Sequence, residues 1–327
     1  MLLLGICGVF AILYVSLQGG NDVNSLRISI VQYLNTAPLV RGFAHGPLRG
    51  KYDLSFTVPS QCAEALGGGD ADVAIIPAIE YQRMDNIVAL PGISVAAKSE
   101  VRSILVVAKK PIDMARKIAL DTSSRSSAAL VRLLADGLWN IKPEWIDAEP
   151  DASEMLKLAD AALIIGDPAL RVSLKMEALN SKVPTNGACC QGDMEDMPVP
   201  GHETVFIYDI AYQWREMTGK PCVLAIWAGR RDVITPEVVA DFDASKQYGI
   251  ERIREISEAA AVKLDLPPRA LERYLRENID YNLDEENLAG LQLYYEKAAA
   301  ADLIPYVRPL EFAAAPAAST ARRGASR

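Results

Sequence analysis

Short apolar runs alternate with amphipathic stretches along most of the chain. Residues 26–32 (LRISIVQ), 53–58 (DLSFTV), 72–76 (DVAII) and 101–109 (VRSILVVAK) read as strands. The turns after them look like helix starts. Asn35-Thr36-Ala37-Pro38 places proline in a first helical turn, and Ser60 is suited to cap a helix over 62–66. A short helix begins at Ala78. From Lys117 the pattern restarts: strand 118–120, a loop, a helix to Gly137, a strand near Trp145, a helix at 152–159 and a strand at 161–165. Residues 183–203 are polar, rich in proline and glycine and without period, and predict a loop. Residues 208–218 predict a helix stopped by Gly219, and 221–228 (PCVLAIWA) a buried strand. The rest reads as helical: one long amphipathic helix over 236–263, a second opened by Pro267-Pro268 and running to Asn278, and a third over 284–303. Beyond Phe312 the alanine, serine, arginine and proline of 313–327 predict a disordered tail.

Strands that alternate with helices predict parallel sheets of βαβ units, here two units and hence two lobes with a cleft. Ligands of open α/β sheets sit at the carboxyl ends of the strands. Those ends carry Asn35-Thr36, Ser103 (inside its strand), the loop 122–127 and Gly166-Asp167. The loop Asp121-Thr122-Ser123-Ser124-Arg125-Ser126-Ser127 feeds directly into the helix with apolar positions Leu130, Leu133, Leu134 and Leu138, and Gly137 sits where a C-cap glycine is expected. Free N–H groups and the helix dipole favour an anion at such a start. Serines at a helix start commonly only cap it, but this loop holds more hydroxyls than a cap needs. No nucleophile–base pair stands among these residues.

Composition narrows the function. Half of the 327 residues are hydrophobic and 23% are charged, enough for a sizeable core, and the net charge of −8 with no basic stripe argues against a nucleic-acid surface. Cys7, Cys62, Cys189, Cys190 and Cys222 fit no zinc spacing and read as free thiols of a reducing compartment, so a cytoplasmic location is expected. His45 and His202 lie in loop-like stretches away from other ligands, and no metal site is expected. Residues 1–17 are almost wholly apolar, followed by a polar linker to residue 25. An uncleaved membrane anchor, a poor signal peptide and a start placed too far upstream are three open readings of this extension.

Several segments together resemble a known family. They are Ile30-Val31-Gln32-Tyr33-Leu34-Asn35-Thr36-Ala37-Pro38-Leu39, Asp72-Val73-Ala74-Ile75-Ile76-Pro77 with Ile79-Glu80-Tyr81, and Val101-Arg102-Ser103. The series continues with Leu120 to Ser127, Ala161 to Leu170, Trp214 with Thr218-Gly219-Lys220-Pro221, Ala225-Ile226-Trp227-Ala228 and Tyr248-Gly249-Ile250-Glu251. In order and spacing they resemble the chorismate dehydratases of the futalosine route to menaquinone, over about residues 26–312. There are departures. Ser126 stands where the family commonly has threonine, residues 97–100 lack a glycine expected before Val101, and Cys222 replaces a usual aromatic.

The resemblance implies a type II periplasmic-binding-protein fold with a C-terminal helical segment. Residues 26–110 plus 221–312 would form lobe I and 111–220 lobe II, with crossings near 107–117 and 220–228. It implies a hydro-lyase without cofactor, whose small-molecule partner is chorismate and whose products are 3-[(1-carboxyvinyl)oxy]benzoate and water. Asn35 is then the expected catalytic residue, orienting the substrate. Thr36, Ser103, Ser126, Ser127, Gly166 and Asp167 are expected to bind it, with Asp167 as either a partner of the substrate hydroxyl or a helix cap. Tyr81 is expected to wall the cleft. Arg102 and Arg125 are candidates for pairing with a carboxylate, although surface arginines are more often exposed. The alternatives are a transporter's solute receptor of the same fold, a sister naphthoate synthase, for which a cleft histidine is expected, and a regulatory ligand-binding domain.

Overall fold

The computed structural model describes residues 25–180, 185–191, 199 and 204–315. The apolar extension, Cys7, His202 and most of the tail therefore lie outside the described residues. The chain first lays down β1 (Arg27–Val31), α1 (Ala37–His45), β2 (Asp53–Thr57), α2 (Pro59–Gly68), β3 (Val73–Pro77) and β4 (Ile87–Ala97). A second unit follows: β5 (Ile104–Ala108), β6 (Lys117–Asp121), α3 (Arg125–Gly137), β7 (Glu144–Ala148), α4 (Ala152–Leu158), β8 (Ala161–Ile165), α5 (Gly166–Asn180), β9 (Asn186–Gln191), β10 (Thr204–Asp209) and α6 (Ile210–Thr218). The chain then returns through β11 (Cys222–Arg230) to α7 (Pro236–Ile250), α8 (Ile253–Leu264), α9 (Pro268–Arg273) and α10 (Glu285–Ala300).

Two sheets result, ordered β2-β1-β3-β11-β4 and β7-β6-β8-β5-β10-β9. They share one plan. Parallel βαβ strands form one side (β2-β1-β3 and β7-β6-β8), and the next strand runs antiparallel: β11 beside β3, β5 beside β8. The innermost strands β3 and β8 are buried along their whole length, which is why each is a continuous apolar run.

The expected crossing near 107–117 is corrected. β5 belongs to the second sheet, so the chain leaves the first sheet between Ala97 and Ile104. A run such as ILVVA is equally apolar whichever sheet receives it, and its partners decide. The return falls between Thr218 and Cys222. At the first crossing Arg102 adopts a left-handed φ of +65°. Asp209 fixes this turn: its carboxylate accepts the Val101 and Arg102 N–H groups at 3.1 and 2.6 Å, and those of Ala211 and Tyr212 that start α6.

Other expectations also change. β4 was not foreseen, because Pro91-Gly92 interrupts its run. The register against β11 jumps between Ile226/Ser94 and Ala228/Ala89, so the interruption bulges out of the ladder. β9 lies in the stretch expected to be a loop, and Tyr208 and Asp209 are the last residues of a strand before α6 begins. The long helix over 236–263 is broken between Ile250 and Ile253. Gly137 is the last helical residue and Leu138 the C-cap. The glycine instead makes room for α6, since a Cβ there would lie 2.7 Å from Met217 Sδ. His45 ends α1. Ala313 donates its N–H to Ala89 O, which ties the beginning of the predicted tail to β4.

Candidate active site

Strand ends from both lobes meet at a cavity of about 50 Å³ lined by Asn35, Thr36, Ser103, Ser124, Ser126, Ser127 and Gly166, with Tyr33 and apolar neighbours. Neither a carboxylate, an imidazole, a lysine nor an arginine lines it. Helices begin around it: Thr36 is the residue before α1, Pro59 opens α2, Ser126 and Ser127 stand in the first turn of α3, and Gly166 opens α5. α3 starts without a side-chain cap. N–H groups of an uncapped first turn lack intrahelical partners, and aligned peptide dipoles make each such end positive, so the potential among these neutral residues is suited to an anion.

The polar groups are not equivalent. Asn35 is 9% exposed, and its Oδ1 is buried without a hydrogen-bond partner among the described residues. Such an orphan is costly unless something else completes it. Thr36 donates its hydroxyl to Val31 O and Tyr33 O at 2.5 and 2.8 Å, so it shapes the loop that presents Asn35. Ser126 Oγ accepts the Ile79 N–H at 3.1 Å, which leaves its own proton to donate. Ser103 Oγ accepts the Tyr274 hydroxyl at 2.8 Å. Gly166 has φ +67°, and a Cβ there would stand 2.6 Å from the Tyr33 ring, so both conformation and space require glycine. Ser123 donates its hydroxyl to Asp121 at 2.6 Å, and burial pushes the nearby Tyr33 phenol up to about 12.

Asp167, expected to meet the substrate hydroxyl or to cap a helix, does not line the smaller cavity. Its Oδ1 accepts the Leu34 N–H at 2.9 Å across the lobes, and it lines a neighbouring, mostly apolar cavity of about 280 Å³ together with Arg41, His45 and Lys263. Burial pushes its carboxyl up. The larger cavity shares Val31, Tyr33 and Thr36 with the smaller. Hydroxyls, an unsatisfied amide oxygen and helix starts converge on the smaller one.

The two arginines do not reach the cavity. Arg102 is fully buried and bonds Ser173 Oγ at 3.2 Å and Glu177 at 2.6 Å, because the crossing turns its side chain under α5. Arg125 joins the lobes: it reaches from α3 to Glu80 at 2.8 Å and to Glu64. The Ser60 N–H to Ser123 O bond is a second tie between the lobes. Tyr81 does not wall the cavity. The Arg308 guanidinium lies 4.4 Å from its ring centroid, and its hydroxyl accepts the Glu311 N–H.

The Asn35 loop, the serine loop, Ser103 and Gly166 are thus brought together around one cavity. Tyr33, Ser124 and Tyr274 were not singled out. The first two lie within the quoted loops; nothing in the local sequence marks Tyr274, which only the fold carries to Ser103. Among the described residues there is no cluster of histidine, cysteine or carboxylates that would hold a metal ion, and no helix long and apolar enough to cross a membrane. Cys62 and Cys222 are buried free thiols.

A family model described as menaquinone biosynthesis matches residues 26–300. The chain is 29% identical over 272 residues to a chorismate dehydratase of Thermus thermophilus, covering 82% of this chain and 93% of that protein. Among solved structures, protein AF1704 of Archaeoglobus fulgidus is similar over 87% of this chain and 100% of its own, with 19% identity and a TM-score of 0.64. The alkanesulfonate-binding protein SsuA of Xanthomonas axonopodis pv. citri is similar over 86% and 94%, with 16% identity and a TM-score of 0.57. These structural likenesses show the fold, the two-lobed periplasmic-binding-protein architecture.

Proposed function

The chain belongs to the menaquinone-biosynthesis family, and we propose that within it the protein is a hydro-lyase that converts chorismate to 3-[(1-carboxyvinyl)oxy]benzoate and water. One observation carries the reading: an interlobe cavity lined by an amide and hydroxyls, ringed by helix starts and lacking ionisable acids or bases other than the Tyr33 phenol. A dianion that supplies its own base suits such a site.

The chemistry accounts for the absence. The ring proton beside the enolpyruvyl ether is vinylogous to the ring carboxylate. When that C–H bond breaks, its electron pair spreads through the diene onto the carboxylate. The electrons then return, the neighbouring C–O bond breaks, and the ring becomes aromatic. The proton and the departing hydroxide together make the water. Charge grows on the ring carboxylate, so fixed donors there lower the barrier. Ser126, Ser127 and the first-turn N–H groups of α3 support that role. The substrate's enolpyruvyl carboxylate, attached next to the reacting C–H, is the base in this reading.

Asn35 is too weak a base to take the proton. Its unpartnered Oδ1 is suited to accept the substrate's alcohol O–H and so to orient the leaving group. Ser103 is suited to the second carboxylate. A location in the cytoplasm is in keeping with the free thiols.

Mixing the purified protein with chorismate and following the diene absorbance tests the reading. Turnover to the aromatic ether is expected. Unchanged chorismate together with tight binding of another solute would instead identify a receptor, the activity borne by the sulfonate-binding relative of the same fold.

A further inference from the structure

One buried side chain reaches the cavity's polar groups from the C-terminal helices. Tyr274 begins a π-helical turn, Tyr274–Asn278, that continues directly from α9. Such wide turns recur at functional positions, where they re-aim a side chain at the cost of regular hydrogen bonding. Tyr274 is 1% exposed, and its hydroxyl donates to Ser103 Oγ at 2.8 Å. The Asn35 side chain lies beside the same hydroxyl. Asn35 Oδ1 has no partner, and Nδ2 can only donate. The phenol gives its proton to Ser103, so its oxygen keeps lone pairs with which to accept one from the Asn35 amide. The Ser103 proton has only a long contact, 3.4 Å, to Val101 O.

We propose that Tyr274 is a positioning residue, which holds Asn35 with its amide oxygen, and Ser103 with its hydroxyl proton, turned toward the substrate. The proposal rests on the dehydratase reading and adds the device that makes one fixed acceptor and one fixed donor from two ambiguous groups. An amide has nearly the same shape after a half-turn, and a serine hydroxyl rotates freely; neither is oriented by packing alone. A phenol is a suitable third member because burial pushes it far up, so it keeps its proton. The three residues come from lobe I, the first crossing and the C-terminal helices, so the chain of bonds forms only when these regions are docked together.

Tyr274→Phe keeps the ring and removes the hydroxyl. On chorismate, kcat should fall by about 10- to 100-fold, the cost of a misplaced group, while KM changes by less than about 3-fold. A merely structural role would reduce the folded fraction and leave kcat per folded molecule unchanged. Ser103→Ala cuts the same chain from its other end, so adding Tyr274→Phe to it should cost little more than Ser103→Ala alone. Wild-type kcat in folded Tyr274→Phe protein, or fully additive losses in the double variant, would overturn the proposal. If the Tyr274→Phe protein does not fold, Ser103→Ala still tests the relay: a raised KM at unchanged kcat, the mark of a lost carboxylate contact alone, removes it, and a lost kcat supports it. A wild type that leaves chorismate intact removes the dehydratase reading and this proposal with it. An active wild type beside an equally active Tyr274→Phe removes the relay alone.

Discussion

The first crossing and the cavity lie side by side, and both are built from buried polar groups, yet they are finished differently. At the crossing the charges are paired. Asp209 collects four backbone N–H groups, and the Arg102 guanidinium rests on Ser173 and Glu177. In the cavity, where Ser103 directly follows Arg102, the groups are neutral and Asn35 Oδ1 is left without a partner. Buried polar atoms are normally satisfied. A satisfied cluster therefore reads as a fastening, and an unsatisfied one as a place that a ligand completes.

That contrast can be broken from either side. Asn35→Ala should lower kcat/KM on chorismate by about 100- to 1000-fold, as loss of a preorganised polar group does, and hardly move the melting temperature. A large loss of stability instead would make Asn35 a fold residue. Asp209→Asn should do the reverse. It puts an amide donor against backbone donors, at about 2–3 kcal/mol in denaturant unfolding, with kcat per folded molecule preserved. Burial pushes the Asp209 carboxyl up to about 7. Because that value is raised, its protonated form favours the fold. The contribution is full below about pH 4 and lost as pH rises through about 7, so the deficit of the variant narrows over that range.

Gly166→Ala touches both regions, because Gly166 donates its N–H to Ser103 O. The strained φ and the Tyr33 ring predict about 1–3 kcal/mol of destabilisation together with a raised KM; a rise in neither would show that the ring moves aside without penalty. The smallest effect is expected for Arg125→Ala. Arg125 is partly exposed and the buried Glu80 keeps Arg83 as a partner, so the loss costs only about 1 kcal/mol and should appear as a KM higher by a few-fold with kcat intact. An unchanged KM would separate the Arg125 ion pairs from cleft closure.

Much of this contrast was legible in the chain. Strand-and-helix alternation was clear because buried strands such as β3 and β8 are unbroken apolar runs. The Asn35, serine and Gly166 loops were identifiable because a parallel sheet puts strand ends together. What was not legible depends on partners. Asp167 is drawn away by a backbone N–H of the other lobe, Arg102 by two residues of α5, and Tyr81 by Arg308. β4 was hidden by Pro91-Gly92, and nothing local distinguishes β5 as a strand of the second sheet. Tyr274 lies 171 residues from Ser103 and carries no motif.

The insertion of β11 between β3 and β4 also bears on how the molecule is made. As the chain leaves the ribosome, β3 and β4 emerge with no strand to lie between them. The first sheet stays split until Cys222–Arg230 has been synthesised, after the whole second unit. Until then two apolar strand edges stand open to wrong pairing. The second sheet needs no strand from beyond the return crossing, so it can close first and act as the template on which the other is completed.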